Sequence, residues 1–172
     1  MIASYGVVFC RFVIGIAFAW SFVGKVCDVP SFVAAIERFR LLPKVLHKPA
    51  AWGFLAGELA VTLAMLFDDI FALWGFLLAA LMLLAFCGAL ASVLLREIDT
   101  SCNCFGSSEK PVSRWDLVRN AGLIGCALVG LTLTFTTPPP PGWLESVLMF
   151  AAALVFVLVW VQVREIVALF QY

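Results

Sequence analysis

The fold class this sequence predicts is all-α: a polytopic transmembrane helical bundle with a four-helix core and a fifth C-terminal span. Three observations predict it. Of 172 residues, 64% are hydrophobic and only 13% are charged. The mean hydropathy is +1.08, beyond the roughly half-apolar make-up of soluble domains. The apolar residues also gather into five long runs, and a helix crossing a bilayer needs about 20 of them.

Each element follows from its residues. Tyr5–Gly24 is the first run, with Arg11 its only charge. It has no basic leader and no Ala-x-Ala-like site, so it reads as a spanning helix and not as a cleavable signal. Ala50–Phe67 is the second and contains Glu58. Asp68 and Asp69 make a tight polar break, and Ile70–Leu95 is long enough to tilt. Ser113 and Asp116 form an acidic variant of the capping box ahead of the fourth run, Asp116–Thr136. Pro138 to Pro141 stop that run, because proline lacks the amide proton a continuing helix requires. Trp143–Val163 gives the fifth.

The segment between the first two runs is amphipathic. Pro30 suits a first helical turn. Phe32, Val33, Ile36 and Phe39 recur at helical spacing, while Glu37, Arg38 and Arg40 take the other face. It reads as a short helix at the interface or over the bundle mouth, with a partner-protein contact as the alternative. The organisation expected is one membrane domain over 1–172. Within it lie the interfacial segment 28–43, a cysteine-containing loop at 96–113 and a proline-rich break at 138–142.

The 11 basic and 11 acidic side chains cancel, which leaves no basic surface suited to nucleic acid. Lys25, Arg38, Arg40, Lys44 and Lys48 fall in the first connection, and Arg96, Lys110 and Arg114 in the third. The second and fourth connections hold no lysine or arginine. By the positive-inside rule the basic connections, and the cysteines of the third, face the cytoplasm.

Six cysteines stand at 10, 27, 87, 102, 104 and 126. Cys10, Cys87 and Cys126 sit singly in apolar surroundings and read as small packing residues. Cys102 and Cys104 stand two apart in a polar loop. The disulfide ring they would close is very small and strained, and strain makes such a bond easier to reduce. The pair therefore suits electron exchange better than stapling. Lys110, Arg114, Arg119 and the start of the fourth helix favour a thiolate there, while Glu97 and Asp99 oppose it. Three other readings stay open: a structural disulfide, two idle thiols, or a soft-metal site completed by His47 and Cys27. Cys27 emerges on the same side as the cysteine loop and is a candidate relay thiol.

Charges inside a membrane are costly and are functional candidates by default. Glu58 lies roughly 12 Å deep from the cysteine-loop side at 1.5 Å per residue. Arg119 enters from that side and is expected to reach toward Glu58, with Asn120 adding a hydrogen bond. The result would be a polar pocket beneath Cys102 and Cys104, or else a structural ion pair. Arg11 lies toward the opposite face, where Asp68 and Asp69 are its expected partners.

The stretch from Gly15 to Lys25, followed by Asp28 to Phe32 and Leu41 to Pro43, resembles the opening of the DoxX-like and MauE-like membrane proteins. Gly57, Glu58 and Leu59 are similar to theirs. Cys102-Asn-Cys-Phe-Gly106, with Val112, Ser113, Arg119 and Asn120 downstream, resembles the Cys-x-Cys-Phe-Gly and following Arg-Asn of the methylamine utilisation family MauE. The likeness covers roughly residues 8 to 125. It implies a helical bundle of the bacterial cytoplasmic membrane that matures exported disulfide proteins beside a thioredoxin-like partner, with quinone as the candidate cofactor. Carried across, Cys102 and Cys104 become the redox pair, and Lys25, Glu58, Arg119 and Asn120 the pocket residues. Asn103 stands where the family more usually has glycine. The family's work also implies an extracytoplasmic cysteine loop, against the charge count.

Two functions from different classes follow. One is a membrane thiol:disulfide oxidoreductase cycling Cys102 and Cys104. The other is a non-catalytic assembly factor or chaperone whose cysteines brace a loop. A transporter is less supported, since the runs show no internal repeat.

Overall fold

The computed structural model describes residues 2–67, 70–96, 113–136 and 142–163. Cys102, Cys104, the rest of the loop between Arg96 and Ser113, the Asp68–Asp69 break and the proline run lie outside the described residues. The elements in chain order are α1 (Ile2–Val26), α2 (Val29–Arg38), a 3-10 turn (Lys44–Leu46), α3 (His47–Ala64), α4 (Ile70–Leu95), α5 (Arg114–Thr134) and α6 (Trp143–Val161). Among the described residues every regular element is helical, so the chain is an all-α membrane bundle.

Consecutive long helices run antiparallel. Ser21 meets Glu58 while Gly15 lies against Met65, which sets α3 against α1. Gly57 faces Met82 and Gly75 faces Ala64, which sets α4 against α3. Phe76 packs at Gly130, and Leu117 packs with Leu90 and Val93, so α5 returns along α4. The common core draws Val13, Ile14 and Ala17 from α1, Val61 from α3, Phe76 and Ala79 from α4, Ala127 from α5 and Ala153 and Val157 from α6. Lipid tails are as apolar as these side chains, so association depends on close packing and hydrogen bonds. The small residues Ala17, Ala79, Ala127 and Ala153 permit that close approach.

Four helices among the described residues, α1, α4, α5 and α6, are long and apolar enough to cross a membrane. At 26 residues α4 is about 39 Å long, more than the hydrocarbon thickness, and tilt accommodates it. The outer flank of α6 is bare: Val155 and Val159 are more than half exposed, as lipid-facing residues should be. The second run, expected to span, falls below that mark. Its helix opens at His47 with Lys48 and Pro49 in the first turn, ends at Ala64 and carries Glu58. These polar residues lower its hydropathy, although it still runs back along α1.

The amphipathic segment forms α2. Asp28 caps it by accepting the Ser31 backbone N–H at 3.1 Å, and Pro30 lies in its first turn. The Ser31 hydroxyl first, and its backbone N–H second, hold the Asp28 carboxyl below its usual range. The cap is therefore present above the free carboxylate range and is lost as pH falls through the lowered value. Phe32, Ala35 and Phe39 are buried while Glu37, Arg38 and Arg40 are exposed. Arg40 then takes a left-handed backbone, φ 51°, which ends the helix before Pro43.

Gly130 tests the packing. A β-carbon there would lie 2.4 Å from the ring of Phe76, and that ring is fully buried. Gly130→Ala is expected to destabilise the detergent-solubilised protein by about 1–3 kcal/mol in thermal unfolding. Gly125→Ala, with open space at its position, should be neutral or stabilising; equal losses at both positions would contradict the packing.

Candidate functional site

The polar residues of the bundle gather where α1, α3 and α5 meet. Ser21 and Lys25 stand one turn apart on α1, so both present to the same neighbour. Both are buried, at 7% and 3% exposure, against Glu58 of α3 at 2%. The Lys25 ammonium donates to Glu58 Oε1 in an ion pair. It also donates to Ser21 Oγ at 2.5 Å, and the Ser21 hydroxyl donates to the same Glu58 Oε1 at 2.8 Å. One carboxylate oxygen thus gathers two donors, and the serine bridges them.

Aromatic faces complete the setting. Lys25 Nζ lies 5.3 Å from the Phe32 ring centroid and 5.1 Å from that of Phe54, within reach of a cation–π attraction worth about 2 kcal/mol when desolvated. The interfacial helix α2 therefore supplies a wall of the site through Phe32. Glu58 Oε2 has no hydrogen-bond partner among the described residues. Glu58, Ser21, Lys25 and Asn120 all line a cavity of about 30 Å³, room for a water-sized hydrogen-bond donor.

A second cavity of about 190 Å³ adjoins the first. Its walls include Phe32, Phe39, Leu42, Phe54 and Phe86, and Phe54 and Phe86 line both spaces. Their ring centroids are 6.1 Å apart, so this pair forms the partition between an apolar chamber and the buried charges.

Glu58 pairs with Lys25, and Arg119 pairs with Asp116 Oδ1 at 3.4 Å on its own helix. Asn120 is buried beside Glu58 in the small cavity, and its amide donates to the Asp116 carbonyl at 2.8 Å. The α5 start is capped as the motif indicated: Trp115 N–H donates to Ser113 Oγ and Ser113 N–H to Asp116 Oδ2. Trp160 of α6 donates to the Arg119 carbonyl at 3.0 Å, fixing the turn that carries Arg119 and Asn120. Cys27 is exposed just past α1. His47 is buried with its Nε2 at 2.9 Å from the Leu42 carbonyl. Arg11 donates to the Met65 and Leu66 carbonyls at the end of α3; the aspartates expected to meet it are outside the described residues. Ser21 escaped the sequence reading, and its only signal was the one-turn spacing to Lys25.

Removing one member of a buried ion pair strands the other charge, at about 3–5 kcal/mol. Lys25→Met and Glu58→Leu are each expected to lower thermal stability in detergent sharply. The double variant should lose less than the two single losses combined. Strict additivity in this cycle would show that the two side chains do not act as a pair.

Residues 3–133 of the chain match the family described as methylamine utilisation protein MauE. No curated protein and no solved structure matches it. The matched region takes in α1 to α5 and every residue of the polar cluster, and covers well over half the sequence. The chain is therefore a multi-pass membrane protein that belongs to the methylamine utilisation protein MauE family.

Proposed function

We propose that this protein is a thiol:disulfide oxidoreductase of the bacterial cytoplasmic membrane that serves disulfide formation or protein maturation. The observation that carries the reading is Cys102-Asn-Cys104 in the connection leading into the capped start of α5. In the oxidising direction, a thiolate of a thioredoxin-like partner attacks one sulfur of the Cys102–Cys104 disulfide and forms a mixed disulfide. The partner's second thiolate then breaks that bond, leaving the partner oxidised and Cys102 and Cys104 as two thiols. Cys27 is the candidate relay thiol on the same side of the bundle.

Two electrons and two protons must then leave Cys102 and Cys104. The apolar, aromatic chamber of about 190 Å³ beside the buried charges suits the ring of a quinone. A quinone held there would accept both electrons and both protons. Phe32, Phe54 and Phe86 would hold the ring, and Lys25 and Glu58 stand behind the aromatic partition as buried proton-exchanging groups. Arg119 and Asn120 would position the first turns of α5 beneath the cysteines.

Orientation decides the direction. An extracytoplasmic loop fits the oxidative reaction, and a cytoplasmic loop, as the charge count favours, fits a reductive relay. Labelling intact cells with a membrane-impermeant maleimide separates the two.

A second reading is a non-catalytic assembly factor. Leu41, Leu42, Val45 and Leu46, between α2 and α3, are exposed apolar residues, a surface on which a partner protein could be held. Partner capture undiminished in the Cys102→Ser, Cys104→Ser double variant would favour it.

Under the redox reading, Cys102→Ser or Cys104→Ser abolishes thiol–disulfide exchange with a thioredoxin-like protein, while insertion into the membrane is unchanged. Full exchange activity in the double serine variant would end that reading.

A further inference from the structure

We propose that Cys10 and Cys126 form a second redox-active dithiol, buried inside the bundle, that closes to a disulfide tying α1 to α5. The two residues are 116 positions apart in sequence, yet their sulfurs lie 3.5 Å from each other. Cys10 is 4% exposed and Cys126 is half-buried. Both belong to the main packed core, Cys126 at its margin, among Val13, Ile14 and Ala127. A disulfide holds its sulfurs at about 2 Å, so closure asks for an approach of about 1.5 Å from the 3.5 Å separation.

The surroundings limit the chemistry. Both cysteines lie well inside spanning helices, where a charged thiolate is poorly solvated. Water-borne disulfides do not reach this depth. The fitting oxidant is a lipid-soluble acceptor of two electrons and two protons, of the quinone class. Two S–H bonds break, one S–S bond forms, and the two electrons and two protons reduce the quinone to a quinol. Reactants and products are all neutral, which suits a medium of low dielectric.

The consequence reaches the polar cluster. α1 carries Ser21 and Lys25, and α5 carries Arg119 and Asn120. Closing the sulfurs would fix the separation of the two helices that frame the small cavity. This inference does not depend on Cys102 and Cys104 being reactive, and its test keeps the two apart.

The full chain, reconstituted in lipid nanodiscs, is treated with a short-chain benzoquinone, denatured, blocked with N-ethylmaleimide and mapped by peptide mass spectrometry. The expected result is a Cys10 peptide joined to a Cys126 peptide, released by dithiothreitol. In a chain with Cys27, Cys87, Cys102 and Cys104 all changed to serine, maleimide adducts should fall from two to none. Cys10 and Cys126 both still bearing maleimide after quinone treatment, or Cys10 joined to a different cysteine, would overturn the proposal.

Discussion

Lys25 and Glu58 meet where neither charge has bulk water, and the rest of the bundle is arranged so that this meeting is tolerable. Ions stripped of water are costly, and their attraction offsets more of that cost as more of the remaining hydrogen-bonding positions are filled. Here Ser21 occupies the space between them, and the rings of Phe32 and Phe54 face the ammonium. The contact also joins α1 to the helix of the bundle with the weakest claim to the lipid. α3 opens on His47 and Lys48, and its far end is held by Arg11 on the Met65 and Leu66 carbonyls. Two polar clamps from α1, one on Glu58 within the helix and one on the carbonyls just past its C-terminus, keep α3 in a bundle that hydropathy alone would not fill.

The same contact organises the space around it. α2 lays Phe32 and Phe39 against α3 and α4, where they line a partly open apolar cavity. Phe54 and Phe86 divide that chamber from the charges. The Glu58 oxygen without a partner among the described residues and the buried side chain of Asn120 border the same small space, so the entry of α5 stands over a polar floor. The residues that lead from the cysteine loop into α5 are held by the Ser113–Asp116 cap, the Asn120 back-bond and the Trp160 donor. Under the proposed exchange reaction, a helix start held in place next to the cysteine loop in sequence would matter, since attack on a disulfide depends on access and on the charge near the sulfur.

Much of this was readable from the residues. Long apolar runs and their polar breaks located the helices, and Glu58 was conspicuous as the lone carboxylate in its run. Pro30, with its alternating apolar and charged neighbours, located α2, and the Ser113–Asp116 spacing located the start of α5. The ion pair of Lys25 with Glu58 was not readable from the run boundaries, although the resemblance put both residues in one pocket. Lys25 looked like a connection residue because the apolar run fades at Gly24, whereas helical hydrogen bonding carries α1 to Val26 and brings Lys25 onto the Ser21 face. Helix ends are set by backbone bonding and tertiary contact, which hydropathy does not register. The adjacency of Cys10 and Cys126 was equally hidden, because it depends on the relative register of two helices far apart in sequence.

The central proposal is that Cys102 and Cys104 exchange electrons reversibly. The most direct measurement is an equilibrium titration of the full chain in nanodiscs against graded ratios of reduced and oxidised glutathione, with acid quench and mass-resolved alkylation of Cys102 and Cys104. The expected result is a single two-electron transition in which both thiols appear and disappear together. Cys102 and Cys104 remaining in one state at every ratio would contradict it.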